Sequence, residues 1–268
     1  MLFSDLALSR RLEHAEGSAC VQFAEVSRRL YPDSGSEWLE CAGVHAVFNG
    51  ANSPITQTFG LGLNVEWNET ALDTIERFFF DRKSPVHHEV SPFAGADALD
   101  LLCRRNYRPI EITNVLYTSI GRPPDASWGP VSVRVIAPEE TQLWTEINAR
   151  GWAQDHPEFR DFLLEIGTIS AASPKTRCFL ASFDGVPSAV GVLFIDNGVA
   201  LFGGAATVPE MRRRGLQTAL LHERMRYASD HGCDVAMIGA LPGSDSQRNA
   251  ERKGFRIAYT RTKWKLFS

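Results

Sequence analysis

Apolar and polar residues alternate in short runs through the second half of the chain, which is the pattern of strands in a sheet with one buried face. The dipeptides Asp-Gly at 184–185 and Asn-Gly at 197–198 separate three of these runs and predict two hairpin turns. A longer segment, from about residue 216 to residue 231, has an imperfect apolar face at helical spacing, and Gly232 after it favours a helix end. The positions on this face are Leu216, Ala219, Leu220, Glu223 and Tyr227. The predicted strands cover residues 131–136, 178–183, 189–195, 199–208, 235–238 and 256–267, and two further helices cover 138–151 and 246–253.

The order of these elements indicates an α/β domain. Antiparallel hairpins come first and a strand–loop–helix–strand crossover follows, which predicts a mixed, mostly antiparallel sheet flanked by helices. An apolar, β-rich stretch precedes them at 110–120, and the next ten residues, 121–130, are so dense in proline and glycine that they predict a linker or a wide turn. The predicted domains are therefore 1–120 and 131–268, joined by 121–130.

The chain also matches itself at an offset of 148 positions. Residues 69–72 fall on 217–220, residues 86–90 fall on the strand at 234–238, and residues 104–108 fall on 252–256. Few residues are identical, so chance explains the agreement at any one place. The order strand, helix, strand, helix, strand at a single offset instead indicates two structural repeats, of which the first lacks the opening strand of the second.

Composition and charge argue against several classes of protein. Of the 268 residues, 44% are hydrophobic, which is enough for a sizeable core, and the net charge of −4 argues against a nucleic-acid partner. No apolar run approaches the roughly 20 residues that span a bilayer, and we recognise no signal peptide. The five cysteines are scattered, and the adjacent His87 and His88 would point to opposite faces of a strand, so we expect neither a disulfide framework nor a metal site. The expected location is the cytoplasm.

The segment between the predicted strand at 199–208 and the helix at 216 has the clearest chemistry. It contains Arg212, Arg213 and Arg214, followed by Gly215. Backbone amides at a helix N-terminus, the positive end of the helix dipole and three arginines all favour an anion. A glycine lets the backbone approach a phosphate closely. We interpret this segment as a diphosphate site, and the alternative is a basic helix start that is merely solvated.

This loop resembles the signature of the GNAT superfamily of N-acetyltransferases, Q/R-x-x-G-x-G/A. Arg212 takes its first position and Gly215 its glycine, whereas Gln217 replaces the usual small residue. The resemblance covers most of residues 130–268 in element order. It implies that the loop amides hold the pyrophosphate of acetyl-CoA, the co-substrate, and that the preceding strand binds the pantetheine arm. The cofactor-binding residues implied here are Ala206, Thr207, Val208, Arg212, Arg213, Arg214, Gly215, Leu216, Gln217 and Thr218.

The first repeat differs from the second at the corresponding loop. Residues 64–69 contain Glu66 and Glu69 and have no glycine. Two carboxylates would repel a diphosphate, so we expect a degenerate GNAT-like copy without a working cofactor loop. Both glutamates also suit a helix start for purely structural reasons.

The catalytic groups are not assigned by the sequence. Acetyl transfer needs a free-base amine, a donor to the thioester oxygen and a proton for the departing thiolate. Many GNAT enzymes supply that proton from a tyrosine four residues before the glycine of a terminal Gly-Phe pair. Here the pair stands at 254–255 and the tyrosine position holds Ala250. Nearby, Ser246 and Asn249 are expected to touch CoA or the thiolate, with helix capping or surface exposure as an equal alternative.

By the same resemblance, Trp152, Asp155 and His156 border the acceptor pocket, although an ordinary turn explains Asp155 and His156 equally well. The leading interpretation is an N-acyltransferase that moves an acetyl group from acetyl-CoA to an amine, a small molecule. It expects no nucleic-acid or membrane partner and leaves a homodimer open. One alternative is a protein that keeps the CoA site and has lost catalysis. Another is an interaction module in which the degenerate first half presents a partner surface.

Overall fold

The computed structural model describes residues 2–65, 67–153 and 160–267. The described helices are α1 (Leu6–Leu30), α2 (Glu69–Phe80), α3 (Ala96–Arg104), α4 (Thr141–Ala153), α5 (Arg160–Ala171), α6 (Leu216–Asp230) and α7 (Asp245–Glu251). The described strands are β1 (Glu37–Cys41), β2 (Val44–Phe48), β3 (Gln57–Phe59), β4 (His87–Val90), β5 (Tyr107–Ser119), β6 (Val131–Val135), β7 (Thr176–Phe183), β8 (Val186–Asp196), β9 (Val199–Thr207), β10 (Val235–Ala240) and β11 (Arg256–Leu266). The prediction of a mixed α/β fold is confirmed.

Tertiary contacts divide the chain into two compact units. One consists of Met1–Thr118 together with Met237–Ser268, and the other of Ser119–Ala236. The predicted division into domains 1–120 and 131–268 stays a prediction, because compact contact units and folding domains are different quantities. Residues 237–268, which the prediction placed in the second domain, nevertheless group with the first unit by their contacts.

The second unit contains an antiparallel sheet in the order β9-β8-β7-β6. Both predicted hairpin turns are present, and their residues adopt left-handed backbone angles: φ is 48° at Asp184, 78° at Gly185, 45° at Asn197 and 78° at Gly198. These angles are those of type I′ turns, which match the twist of the flanking strands. Helix α6 packs against all four strands, and α4 packs against β8 and β9. The core of the second unit contains Trp144, Ile147, Cys178, Leu180, Val190, Ala206 and Val208.

The buried face of α6 differs in part from the predicted one. Leu216, Ala219 and Leu220 are buried as expected. Arg224 and Ala228 complete the buried face, in place of the predicted Glu223 and Tyr227, which are half-buried. The helix therefore places an arginine against the sheet.

Residues 121–130 form neither helix nor strand, as predicted. They nevertheless pack on α6. The Pro124 carbonyl lies 2.9 Å from His222 Nε2, the Trp128 ring lies 5.3 Å from the His222 ring, and Arg122 pairs with Asp230 at 3.5 Å. His222 therefore anchors this segment.

In the first unit the sheet order is β1-β2-β3-β4-β11-β5. Strand β11 pairs antiparallel with β4 on one side and with β5 on the other. The strands β3 and β4 are parallel, with Thr58 opposite His88. The strand closest to the C-terminus therefore lies between two strands from the N-terminal part of the chain, β4 and β5.

The element bounds confirm the repeat. Shifted by 148 positions, α2 becomes 217–228, β4 becomes 235–238, α3 becomes 244–252 and β5 becomes 255–267, close to the observed α6, β10, α7 and β11. Among the described residues, no strand precedes α1 in the way that β6 precedes α4. None of the described helices is long and apolar enough to cross a membrane. Among the described residues, no group of three or more His, Cys, Asp or Glu side chains could hold a metal ion.

Candidate cofactor site

The end of β9 leads into a buried turn. Ala206 and Thr207 close the strand, Val208 follows it, and all three are less than a tenth exposed. The Val208 amide donates to the Ser188 carbonyl at 3.0 Å, and the Val208 carbonyl accepts from the Met211 amide at 2.9 Å. Both backbone groups of Val208, one of the three predicted pantetheine contacts, therefore already have partners within the chain.

The three arginines of the loop are exposed and have different surroundings. Arg212 Nη2 donates to the Gly151 carbonyl at 3.0 Å, near the end of α4. Arg213 has a φ of +65°, a left-handed conformation that is uncommon outside glycine. The Arg214 guanidinium lies 5.0 Å from the centre of the Phe183 ring, within the range of a cation–π contact. Arg212 therefore contacts a backbone carbonyl, and Arg214 contacts an aromatic ring.

The first turn of α6 has no side-chain cap. Its N-cap is Gly215, with a φ of +82°, and a Cβ at this position would meet nothing within 4 Å. The first amides of a helix have no partner within the helix, so those of Leu216, Gln217 and Thr218 are available to an outside acceptor. The space beside Gly215 is open to such an acceptor.

Helix α2 of the first copy begins differently. Its N-cap is Asn68, whose side-chain oxygen accepts from the Ala71 amide at 3.0 Å. The site that would bind an anion is therefore filled by the chain's own side chain. Glu69 adds a negative charge in the first turn, and Glu66 lies outside the described residues.

Gln217, the departure from the motif, has a structural partner. Its Nε2 donates to Thr207 Oγ1 at 2.7 Å. The hydrogen bond ties the first turn of α6 back to the last residue of β9. A small residue at 217 could not make this contact, so the substitution adds a brace between the strand and the helix.

The strand β9 carries a bulge before it reaches this turn. Val190 on β8 pairs with Ala206, and Val192 pairs with Gly203, so the register shifts by one residue between them. Gly204, inside the bulge, has a φ of +53°, and a Cβ there would meet Val192 Cγ2 at 2.9 Å. Beside Gly203, in contrast, the space is open.

The remaining predicted residues are distributed over other elements. Ser246 and Asn249 are exposed on α7, within the residues assigned to the first unit. The N-cap of α7 is Ser244, which accepts from the Gln247 amide at 3.2 Å, so Ser246 and Asn249 do not cap the start of this helix, and their exposure agrees with the alternative that they are surface residues. Ala250 is buried and has no polar side-chain atom.

On the acceptor side, Trp152 lies in α4 with 45% of its surface exposed. Asp155 and His156 lie outside the described residues. Directly before Trp152 in the same helix, Gly151 makes a close contact that the sequence did not indicate. A Cβ there would lie 2.6 Å from Ala206 Cβ and 3.2 Å from the Thr207 amide nitrogen, so α4 touches β9 at the predicted pantetheine residues.

Comparison with known proteins agrees with this geometry. The profile of the acetyltransferase (GNAT) domain matches residues 126–245. The search of curated proteins gave no match. Among solved structures, a GCN5-related N-acetyltransferase from Kribbella flavida has a TM-score of 0.64 at 17% identity, covering 93% of this chain and 96% of its own. A GCN5-related N-acetyltransferase from Sphaerobacter thermophilus has a TM-score of 0.57 at 17% identity, covering 79% of this chain and 72% of its own.

A third similar structure bears on the repeat. A tandem GNAT protein from the clavulanic acid biosynthesis pathway covers 100% of this chain and 98% of its own, at 12% identity and a TM-score of 0.58. At such identities a structural likeness establishes the fold. The likeness therefore confirms the prediction of two GNAT-like copies in one chain.

Proposed function

This chain carries a GNAT acetyltransferase domain, and on that premise we propose that it transfers an acetyl group from acetyl-CoA to a small-molecule amine. The second copy would hold the co-substrate. The first copy would take no part in binding it, because α2 is capped by its own Asn68 side chain.

The proposed roles follow the order of the chain. Ala206 and Thr207 would bind the pantetheine arm, with Val208 beside them. The diphosphate would accept hydrogen bonds from the amides at the start of α6, and the arginines at 212–214 would supply the positive potential. Trp152, Asp155 and His156 are the proposed acceptor-side residues. Contacts from Ser246 and Asn249 to CoA stay a prediction.

The observation that carries this proposal is the contrast between two equivalent helix starts. In α2 the Asn68 side chain accepts from the Ala71 amide of the first turn, whereas in α6 the N-cap is a glycine with open space beside it. A diphosphate fits the second arrangement, since it needs free amides, positive charge and close backbone approach. Only the second of the two copies provides all three.

Acetyl transfer from a thioester to an amine needs few side-chain groups. The amine nitrogen attacks the thioester carbon, the carbon–sulfur bond breaks, and the thiolate of CoA leaves while the amine loses a proton. A CoA thiol is acidic enough to leave as the thiolate near neutral pH. The missing tyrosine at Ala250 therefore lowers the expected rate and does not forbid the reaction. A general acid typically contributes about 10²- to 10⁴-fold.

The same missing tyrosine favours one alternative, a protein that binds CoA without turning it over. Ala250 is buried and offers no proton donor. This alternative shares the diphosphate site with the enzyme, so a binding experiment tests the site in either case. Turnover separates the two.

A charged side chain at Gly215 tests the site. We expect Gly215→Glu to bind CoA at least about tenfold more weakly than Gly215→Gln, a difference of about 1.4 kcal/mol. Both variants place a side chain of equal size on a backbone with a φ of +82°, so strain and steric blockage are matched. Only the negative charge facing the diphosphate differs.

Calorimetric titration of both variants and the wild-type chain with CoA gives the dissociation constants. Dissociation constants of the two variants that agree within about threefold, or about 0.7 kcal/mol, would mean that the diphosphate does not lie at the start of α6. Circular dichroism spectra that match the wild type establish that both variants are folded.

A further inference from the structure

The helix α6 buries an arginine that the proposed reaction does not use. Arg224 is 3% exposed, and no carboxylate among the described residues pairs with it. Its Nη1 donates to the Val192 carbonyl at 2.9 Å and to the Gly203 carbonyl at 3.3 Å, and its Nε donates to the Leu220 carbonyl at 3.2 Å. Burial lowers the pKa of the guanidinium to about 10, so it remains charged at neutral pH.

The two strand carbonyls that Arg224 binds belong to Val192 and Gly203, the pair that stands directly before the bulge of β9. Gly191 on β8 stands opposite two residues of β9, Gly204 and Ala205, because the register shifts between Val190 and Val192. A bulge of this kind disturbs the regular ladder and re-aims the residues that follow it. The guanidinium bridges from α6 to the strands where their regular pairing is interrupted.

The surroundings of the guanidinium leave it little freedom. A Cβ on Gly191 would lie 2.9 Å from both Cζ and Nη1 of Arg224, so the guanidinium occupies the place of that side chain. On another side, Arg224 Cζ lies 5.2 Å from the centre of the Phe202 ring. Glycine at 191 and arginine at 224 are therefore a matched pair.

Burying a charge without a counter-ion is costly, and an apolar residue would fill the same volume without that cost. The residues directly after the bulge are Ala206 and Thr207, the proposed pantetheine contacts. We propose that Arg224 is a positioning residue, which fixes the β9 bulge and so aims the backbone of Ala206 and Thr207 at the pantetheine arm. This inference rests on the proposed function of the site.

The inference predicts which part of the ligand loses affinity. The diphosphate is bound by α6 and the arginine loop, whereas the pantetheine arm depends on the strand after the bulge. A disturbed bulge should therefore weaken CoA and spare 3′-phosphoadenosine 5′-diphosphate, which keeps the diphosphate and lacks the arm. A merely structural arginine would affect both ligands alike.

Two variants of the full chain disturb the bulge in different ways. Arg224→Lys keeps the charge but cannot reach all three carbonyls, and Gly191→Ala keeps the arginine but pushes its guanidinium aside. In both we expect the dissociation constant for CoA to rise at least about tenfold, and that for 3′-phosphoadenosine 5′-diphosphate to stay within about threefold of wild type. Arg226→Met, on the same helix with an exposed, Glu223-paired side chain, is the matched control and should change neither constant.

Calorimetric titration of each folded variant with both ligands separates the outcomes. Equal changes for the two ligands, or no change for either, would overturn the positioning role while leaving the proposed function intact. Absence of CoA binding by the wild-type chain would instead overturn the proposed function. Loss of the folded state in both variants would also count against the inference, because Arg224 would then hold the fold rather than aim the strand.

Discussion

Glu13 of α1 lies in a buried cluster of charged side chains in the first unit. Arg261 on β11 is at the centre of the cluster, with its nitrogens 3.3 Å from Glu13 Oε1, 2.7 Å from Glu16 Oε2 and 3.0 Å from Glu89 Oε2. The Tyr259 hydroxyl donates to Glu13 Oε1 at 2.8 Å, whereas Glu13 Oε2 is buried without a hydrogen-bond partner. Three carboxylates surround the Arg261 guanidinium, so the negative charge of one carboxylate is poorly compensated.

This cluster makes stability depend on pH. Burial raises the pKa of Glu13 from 4.5 to about 7, against the opposing attraction of Arg261. The folded state therefore holds a proton that the unfolded state releases between these two values. Stability from this proton is present below about pH 4.5 and is lost as the pH rises through about 7.

The variant Glu13→Gln keeps the acceptor for Tyr259 and removes the titration. We expect the free energy of unfolding of the wild type, minus that of the variant, to fall as the pH rises from about 4.5 to 7, by at most about 1.4 kcal/mol per pH unit. Urea unfolding at a series of pH values measures the free energy of unfolding of the wild type and of the variant. Parallel pH profiles for the two proteins would mean that Glu13 is ionised in the folded state.

At single positions the sequence predicted some features and missed others for definite reasons. The arginine run and Gly215 stand together in the sequence, so their loop was recognisable from spacing alone. The burial of Arg224 was not predicted, because the buried face of a helix is predicted from apolar residues and an arginine is counted as exposed. The close contact of Gly151 with Ala206 depends on residues far apart in the chain, which spacing cannot reveal.

Strand β11 is the element on which the first unit depends most. Its pairing runs from Thr262–Lys265 along β4 and over almost its whole length along β5. It also supplies Trp264 to the core and Arg261 to the buried charge cluster. Without it, β4 and β5 would face an empty position in the sheet.

A chain that ends at Gly254 should therefore lose the fold of its first unit. We expect the amides of β4 and β5 that pair with β11 to lose their protection from hydrogen exchange, since that partner strand would be missing. Adding a synthetic peptide of residues 255–268 should restore part of that protection. Protection equal to that of the full-length chain, without the peptide, would mean that β11 is dispensable.

For whole elements, the local sequence pattern predicted several strands closely, but it did not predict which distant strands pair. The hairpin dipeptides and the alternation of the second half predicted β7, β8 and β9 closely, because these strands pair with their neighbours in sequence. The pattern also predicted β11, but not its partners, since strand pairing across more than a hundred residues leaves no local signal. The long helix α1 was missed because Ser9, Glu13 and Gly17 interrupt its apolar face at buried positions.

Across the molecule, the two copies share an order of elements and differ at one functional point. The helix that follows the third strand of the first copy is capped by Asn68, and its equivalent in the second copy is left open at Gly215. A duplicated fold can lose a site in one copy by a few such changes while keeping its core. We therefore propose that the second copy binds the co-substrate.

The most direct test of the central claim is turnover of acetyl-CoA by the full-length chain with a panel of small amines and peptide N-termini. We expect at least one amine to release CoA thiol above the hydrolysis background and to appear acetylated by mass spectrometry. The rate should be slower by about 10²- to 10⁴-fold than with a general acid, and Gly215→Glu should abolish it. Tight binding of acetyl-CoA with no acetylated product from any amine would contradict the account and identify a CoA-binding protein instead.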